Sequence, residues 1–200
     1  MREKPNLEVK RALYHFSTVA GAVLLSYFIP IFFAKLLLIE TCLFYIIFDL
    51  LRYYCPRFQQ YANSKLLGWY LRPKEKTGRT ANVDCVLGIT FAYFVFPMDI
   101  FRAVILIVAI SDPLARICGR AWGTTKLPGI FNKKSWAGSG AFFISAFLIA
   151  ILFTSPEAAL ISALIATTCE AMPEPKYWLN DNFNTPAITG AAMFFLPMFL

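Results

Sequence analysis

Histidine is nearly absent from this chain: His15 is the only one in 200 residues. A histidine-built metal centre is thereby excluded, because such sites draw on several imidazoles. The five cysteines, at 42, 55, 85, 118 and 169, are scattered and form no C-x-x-C pair. That argues against both a disulfide framework and a zinc site. Charge is scarce too, with Asp, Glu, Lys and Arg making up 16% of residues. No G-x-x-x-x-G-K-[ST] or G-x-G-x-x-G segment occurs, so a nucleotide site here would be of a non-standard kind. Nor does any recognition or stacking module accompany the net charge of +7, which excludes a nucleic-acid footprint.

What the chain has in excess is apolar surface. Hydrophobic residues make up 58% of it, 20 of them Phe, and the mean hydropathy is +0.57. That composition describes an integral membrane protein. Apolar runs predict spans at Ala12–Ile29, Leu36–Leu51, Val86–Phe96, Ile100–Gly119, Gly138–Phe153, Pro156–Ala171 and Thr185–Leu200. The charged start MREKPNLEVKR leads into the first run without a small-residue cleavage site, so the run reads as a retained span and not a signal peptide. All of the 19 Lys and Arg except Lys35 and Arg102 fall in segments on one side of this arrangement. The excess of cations places that side, and the N-terminus, in the cytoplasm. The expected fold is therefore all-α: a polytopic membrane protein of about seven transmembrane helices, one domain over residues 1–200. The connections on the other side are very short, leaving one working face.

The chemistry concentrates in residues 111–139, SDPLARICGRAWGTTKLPGIFNKKSWAGS. Asp112 interrupts an apolar run, and an acid at membrane depth is costly unless it is paired, which makes it a functional candidate. On a helix Asp112, Arg116, Gly119, Arg120 and Gly123 share one face, setting an acid beside two guanidiniums and two gaps. Lys126, Lys133 and Lys134 follow, then Ser135, Gly138 and Ser139. Lysines supply point charges for phosphate, and small residues let backbone N–H groups approach an anion. Glu170 ends the sixth run, and Asp181 and Asn182 lie in a turn before the seventh. Asp112, Glu170 and Asp181 are thus three carboxylates at one membrane level facing a lysine-rich loop. Hard oxygen ligands with cations suit Mg²⁺ carrying a nucleotide polyphosphate, with Asp112 and Asp181 as the metal candidates. Phosphoryl transfer asks a protein mainly for charge neutralisation and positioning, which such a set supplies. Elsewhere, Lys10, Arg11 and His15 sit at the cytoplasmic start of the first span. Asp49 and Arg52 form an i, i+3 ion pair, and Arg72 and Glu75 lie in a charged loop; each of these groups has a structural reading as well as a functional one.

Taken together and in order, these blocks resemble the CTP-dependent lipid kinases: dolichol kinase, phytol kinase and CTP-dependent diacylglycerol kinase. These are related more distantly to the phosphatidate cytidylyltransferases. The resemblance rests on Lys10-Arg11-x-x-x-His15, Asp49-x-x-Arg52, Arg72-x-x-Glu75 with Gly78, and Asp112-x-x-Ala115-x-x-x-Gly119. Lys134-Ser135-x-x-Gly138-Ser139, Glu170-Ala171 and Asp181-Asn182-x-x-x-Pro186 complete it. Ser111 and Ala137 depart from the residues common in that family, and the cytidylyltransferase His-Gly-Gly with Asp-Arg is missing. The resemblance implies transfer of a phosphoryl group from a nucleoside triphosphate, typically CTP, to the hydroxyl of a long-chain lipid alcohol. In that reading Asp112, Asp181 and Glu170 serve the metal and the triphosphate. Arg120, Lys126 and Lys134 neutralise phosphate, the Gly138–Ser139 backbone cradles it, and Asp112 or His15 activates the hydroxyl. The alternatives are a cytidylyltransferase acting on a phospholipid and, outside enzymes, a transporter or a membrane scaffold.

Overall fold

Prolines punctuate this chain at the places where helices have to end. In a computed structural model that describes residues 5–68, 71, 73–173 and 180–200, Pro30, Pro56, Pro97 and Pro156 each sit at a helix start. A proline there gives up no backbone bond, since the first N–H groups of a helix have no internal partner. The helices are α1 (Pro5–Phe28), α2 (Ile31–Tyr54), α3 (Pro56–Tyr61), α4 (Ala81–Val95), α5 (Met98–Ala121), α6 (Trp136–Ala150), α7 (Pro156–Ala171) and α8 (Asp181–Phe195). No strand occurs among the described residues; a lone bridge joins Lys126 and Ser135. The seven expected spans correspond to α1, α2 and α4–α8, and α3 adds a short helix inside the second polar segment. Arg72, and the side chains of Lys10 and Arg11, lie outside the described residues.

α5 is the axis of the bundle. It packs against α1, α4, α6 and α8, and Ala103, Val104, Ile105, Ile107, Val108 and Ala109 are all buried. A helix apolar on every side is one that neighbours cover on every side. α6 and α7 meet through alanines such as Ala146, Ala150, Ala159 and Ala163, none of them exposed; small side chains let two backbones approach. Gly190 does the same for α8, where a Cβ would lie 2.2 Å from the Phe96 ring.

The outside of the bundle is the reverse of a soluble surface. Phe28, Phe32, Phe33, Phe44, Leu152 and Phe199 are among many large apolar side chains left exposed. Among the described residues one helix, α2, suffices by length and composition to cross a membrane: its best window has hydropathy 2.2 and is only 11% buried. α4, α6 and α8 have 15 residues each, about 22 Å of helix against a hydrocarbon core of ~30 Å. The expectation of about seven transmembrane helices is therefore met in helix number, while α2 is the one that qualifies as a span by length and composition among the described residues.

The two cations expected away from the basic face are both satisfied by rings. Lys35 lies over Phe94 at 5.4 Å, and Arg102 over Tyr27 at 3.7 Å. Arg102 also donates to Ser26 Oγ at 3.2 Å.

At the other end, Asp49, Arg52 and Glu75 prove to be fasteners. Arg52, 2% exposed, donates to Asp49 Oδ1 at 2.6 Å, Asn63 Oδ1 at 3.1 Å and the Glu75 carbonyl at 2.7 Å. Asp49 Oδ2 accepts from the Thr80 N–H and hydroxyl, and Glu75 accepts from the Ala81 N–H at 3.3 Å. Together they pin the second polar loop to the end of α2 and supply acceptors at the start of α4. Removing one partner of a buried pair leaves the other charge uncompensated, at about 3–5 kcal/mol. Arg52→Ala is accordingly expected to lower the thermal unfolding midpoint of detergent-purified protein by several degrees. A midpoint indistinguishable from that of the unmutated chain would show that the network does not hold the fold.

Candidate active site

Asp112 lies in the fourth turn of α5, followed directly by Pro113 within the same helix. It is 6% exposed, so its charge must be met locally. Arg116, one turn on, donates to Asp112 Oδ2 at 2.5 Å. His15, buried on α1, brings Nε2 to 3.6 Å from the same oxygen. The residue pair that the sequence offered as alternatives for activating a hydroxyl is thus one pair in space.

Beyond Arg116 the polar face opens into a cleft of ≈ 180 Å³ between the end of α5, the start of α6 and the end of α7. Arg116, Arg120, Lys126, Lys133 and Lys134 line it, with Gly119, Ser135, Gly138, Ser139 and Glu170. The loop between α5 and α6 gathers the lysines by folding back on itself. Leu127 N donates to the Lys134 carbonyl and Trp136 N to the Thr125 carbonyl, and Gly129 supplies the left-handed turn at φ +62°. Lys134 forms an ion pair with buried Glu170. Both lysines 133 and 134 also line a second cleft of ≈ 200 Å³, with Ile130, Met172 and Asp181. The positive end of the α6 dipole opens toward the first cleft, which suits an anion.

Several expected roles change in detail. The N–H groups of Gly138 and Ser139 are already engaged, with Ser135 Oγ at 3.2 Å and the Ser135 carbonyl at 2.9 Å. The α6 backbone there cannot cradle a phosphate, because Ser135 caps the helix with it. What the cleft offers instead is the Ser139 hydroxyl, buried and without a hydrogen-bond partner. Gly119 and Gly138 serve close packing: a Cβ on Gly138 would meet the Ala115 carbonyl at 2.9 Å. Gly123 is not on the helical face at all, since α5 ends at Ala121. The chain turns back so tightly that a Cβ there would lie 2.0 Å from the Gly119 carbonyl. Asp49, Arg52 and Glu75 do not line the cleft.

At the third corner, α8 begins four residues earlier than its apolar run, because Asn180 caps it by accepting from Asn182 N at 3.0 Å. Asp181 is therefore the first helical residue. Asp112 and Asp181 both lie within electrostatic reach of Glu170. Asn182 packs its carbonyl against Gly88 of α4, where a Cβ would come within 2.5 Å. That contact brings in a carboxylate the sequence reading passed over, Asp84. It is buried one turn before Gly88, 2.9 Å from Arg79 and within electrostatic reach of Asp181. The signal was an acid inside the extended start of an apolar helix. Among the described residues no three His, Cys, Asp or Glu side chains gather closely enough to hold a metal ion by themselves. An ion bound here would have to complete its shell with phosphate oxygens and water.

No family model matches the chain, and no solved structure matches it. Among curated proteins it is 30% identical over 192 residues to an uncharacterized protein of Rickettsia prowazekii, RP860, covering 90% of each chain. It is 27% identical over 165 residues to CTP-dependent diacylglycerol kinase 1 of Schizosaccharomyces pombe, covering 74% of each. It is 38% identical over 102 residues to a probable chloroplastic phytol kinase of Triticum aestivum, covering 43% of this chain and 33% of that one. With relatives named as a CTP-dependent diacylglycerol kinase and a phytol kinase, the chain belongs to the CTP-dependent lipid kinase family.

Proposed function

We propose that this chain is a multi-pass membrane kinase that transfers the γ-phosphoryl group of a nucleoside triphosphate, CTP, to the hydroxyl of a lipid alcohol. The observation that carries the reading is the junction at Arg116. This guanidinium lines the five-cation cleft and at the same time holds Asp112, which faces His15. A polyanion and a proton-accepting pair are thereby set side by side at the edge of an apolar bundle. The exposed phenylalanines and leucines support embedding in a bilayer through α1, α2 and α4–α8. The lopsided distribution of Lys and Arg supports a cytoplasmic cleft.

In this mechanism Lys133, Lys134, Arg116 and Arg120 bind the triphosphate, and the Ser139 hydroxyl gives it a further donor. Asp112 and Asp181 are the residues that would hold Mg²⁺, which when bound neutralises charge on the phosphates. His15 accepts the proton of the acceptor hydroxyl and Asp112 stabilises the resulting imidazolium. The acceptor oxygen bonds to the γ-phosphorus as the bond from that phosphorus to the β,γ-bridging oxygen breaks. The products are a lipid monophosphate and CDP, with the proton left on His15 for release to water.

Two sets of variants test these assignments. His15→Gln is expected to lower kcat about 10²–10⁴-fold, the usual worth of a positioned acid–base group, with Mg–CTP affinity kept within about twofold. A kcat close to that of the unmutated chain would remove His15 from the chemistry. Lys133→Gln and Lys134→Gln are each expected to weaken Mg–CTP binding, read by titration calorimetry. The loss of a charged hydrogen bond worth about 1.5–3 kcal/mol corresponds to roughly ten- to a hundredfold in Kd. Unchanged affinity in both would move the nucleotide out of this cleft.

A further inference from the structure

The reaction proposed above needs a place for the hydrocarbon of the acceptor, and the bundle contains a groove suited to it. This groove, of ≈ 200 Å³, lies between α1, α2, α4 and α5. Its walls include Gly21, Leu25, Leu37 and Ile89. Of the hydroxyls that border it, those of Thr18, Ser26 and Thr41 each donate to a carbonyl of their own helix, at 2.8, 2.6 and 2.7 Å, and the Tyr93 hydroxyl is buried without a hydrogen-bond partner.

One end of the groove is polar. A gap of ≈ 10 Å³, bordered by Tyr14, His15 and Asn82, shares Thr18 and Val86 with the groove. That is room for about one water-sized group, which is the size of a hydroxyl. The order in space is then an apolar groove, a hydroxyl-sized gap, His15, Asp112, Arg116 and the cationic cleft.

Resting on the kinase reading, we propose that this groove holds a single hydrocarbon chain of the acceptor, with its hydroxyl in the gap at His15, and that Gly21 sets the width available to it. A Cβ at Gly21 would meet nothing within 4 Å. The position is therefore open space on the groove wall and not a close helix contact, in contrast to Gly88, Gly138 and Gly190. Gly21 lies six residues along α1 from His15, about 9 Å at 1.5 Å per residue. A chain longer than that must pass Gly21, whereas a shorter one does not reach it. Ala34, at the start of α2, lines the groove near its far end by Ile29.

The test compares a twenty-carbon and a five-carbon isoprenoid alcohol as acceptors, with Mg–CTP as donor, for the unmutated chain, Gly21→Leu and Ala34→Phe. Filling the groove is expected to lower the ratio of long-chain to short-chain kcat/KM at least about tenfold in Gly21→Leu, with a smaller fall in Ala34→Phe. Ratios within twofold of the unmutated value in both variants, with unmutated chain active, would overturn the groove while leaving the kinase reading intact. No transfer to any alcohol by the unmutated chain would instead overturn the kinase reading. A diazirine-bearing twenty-carbon alcohol then tests the groove without turnover. Cross-links to α1 and α2 that Gly21→Leu abolishes support it, and cross-links that persist in the variant, or fall elsewhere, overturn it.

Discussion

A carboxylate buried in the central helix has to be paired, and the candidate site is arranged around that requirement. Arg116 donates to one oxygen of Asp112 on α5, and His15 Nε2 lies 3.6 Å from that same oxygen. Arg116 comes from the same helix, one turn on. His15 comes from α1, so the packing of α1 on α5 is part of the electrostatic solution. Neutralising Asp112 internally also fixes where Arg116 points, and that direction gives the cleft its innermost cation.

The second buried carboxylate repeats the logic from another direction. Glu170 ends α7 below the basic loop, and Lys134 comes down from that loop to meet it. The pair ties a fourteen-residue connection to the bundle and holds Lys134 between the two clefts. Ser135 then caps α6 and keeps its first turn at the cleft wall. The cleft is thus built by paired charges, with further cations left to face a polyanion.

Much of the site was legible in the sequence because its residues break a strong background. In a chain this apolar, Asp112, Glu170 and Asp181 stand out, and helical spacing alone joins Asp112 to Arg116. The seven helices of the bundle follow from apolar runs, several of them bounded by prolines. What could not be read was contact between distant segments: that Glu170 would take Lys134, or His15 reach Asp112. Backbone bookkeeping was equally hidden. Ser135 uses up the Gly138 N–H, and Asn180 starts α8 at Asp181, because capping depends on a few torsions and not on composition. Gly123 fell off the expected face because the helix ends at Ala121, just before it. Arg52, Asp49 and Glu75 allowed a structural and a functional reading, and their contacts with one another, Asn63, Thr80 and Ala81 make them fasteners of the second polar loop. Asp84 was passed over because the expected third span began at Val86, after it, whereas α4 starts at Ala81.

The central claim is that the cationic cleft presents the terminal phosphoryl group of a nucleoside triphosphate to a hydroxyl at His15. Its most direct test uses purified protein with Mg²⁺, a panel of lipid alcohols together with phosphatidate, and CTP labelled at either the α or the γ phosphate. The account predicts lipid-soluble label from γ-labelled CTP, with an alcohol as the acceptor, and none from α-labelled CTP. Label entering phosphatidate from the α position would contradict it, making the chain a cytidylyltransferase, and label from neither position would remove the transfer reaction altogether.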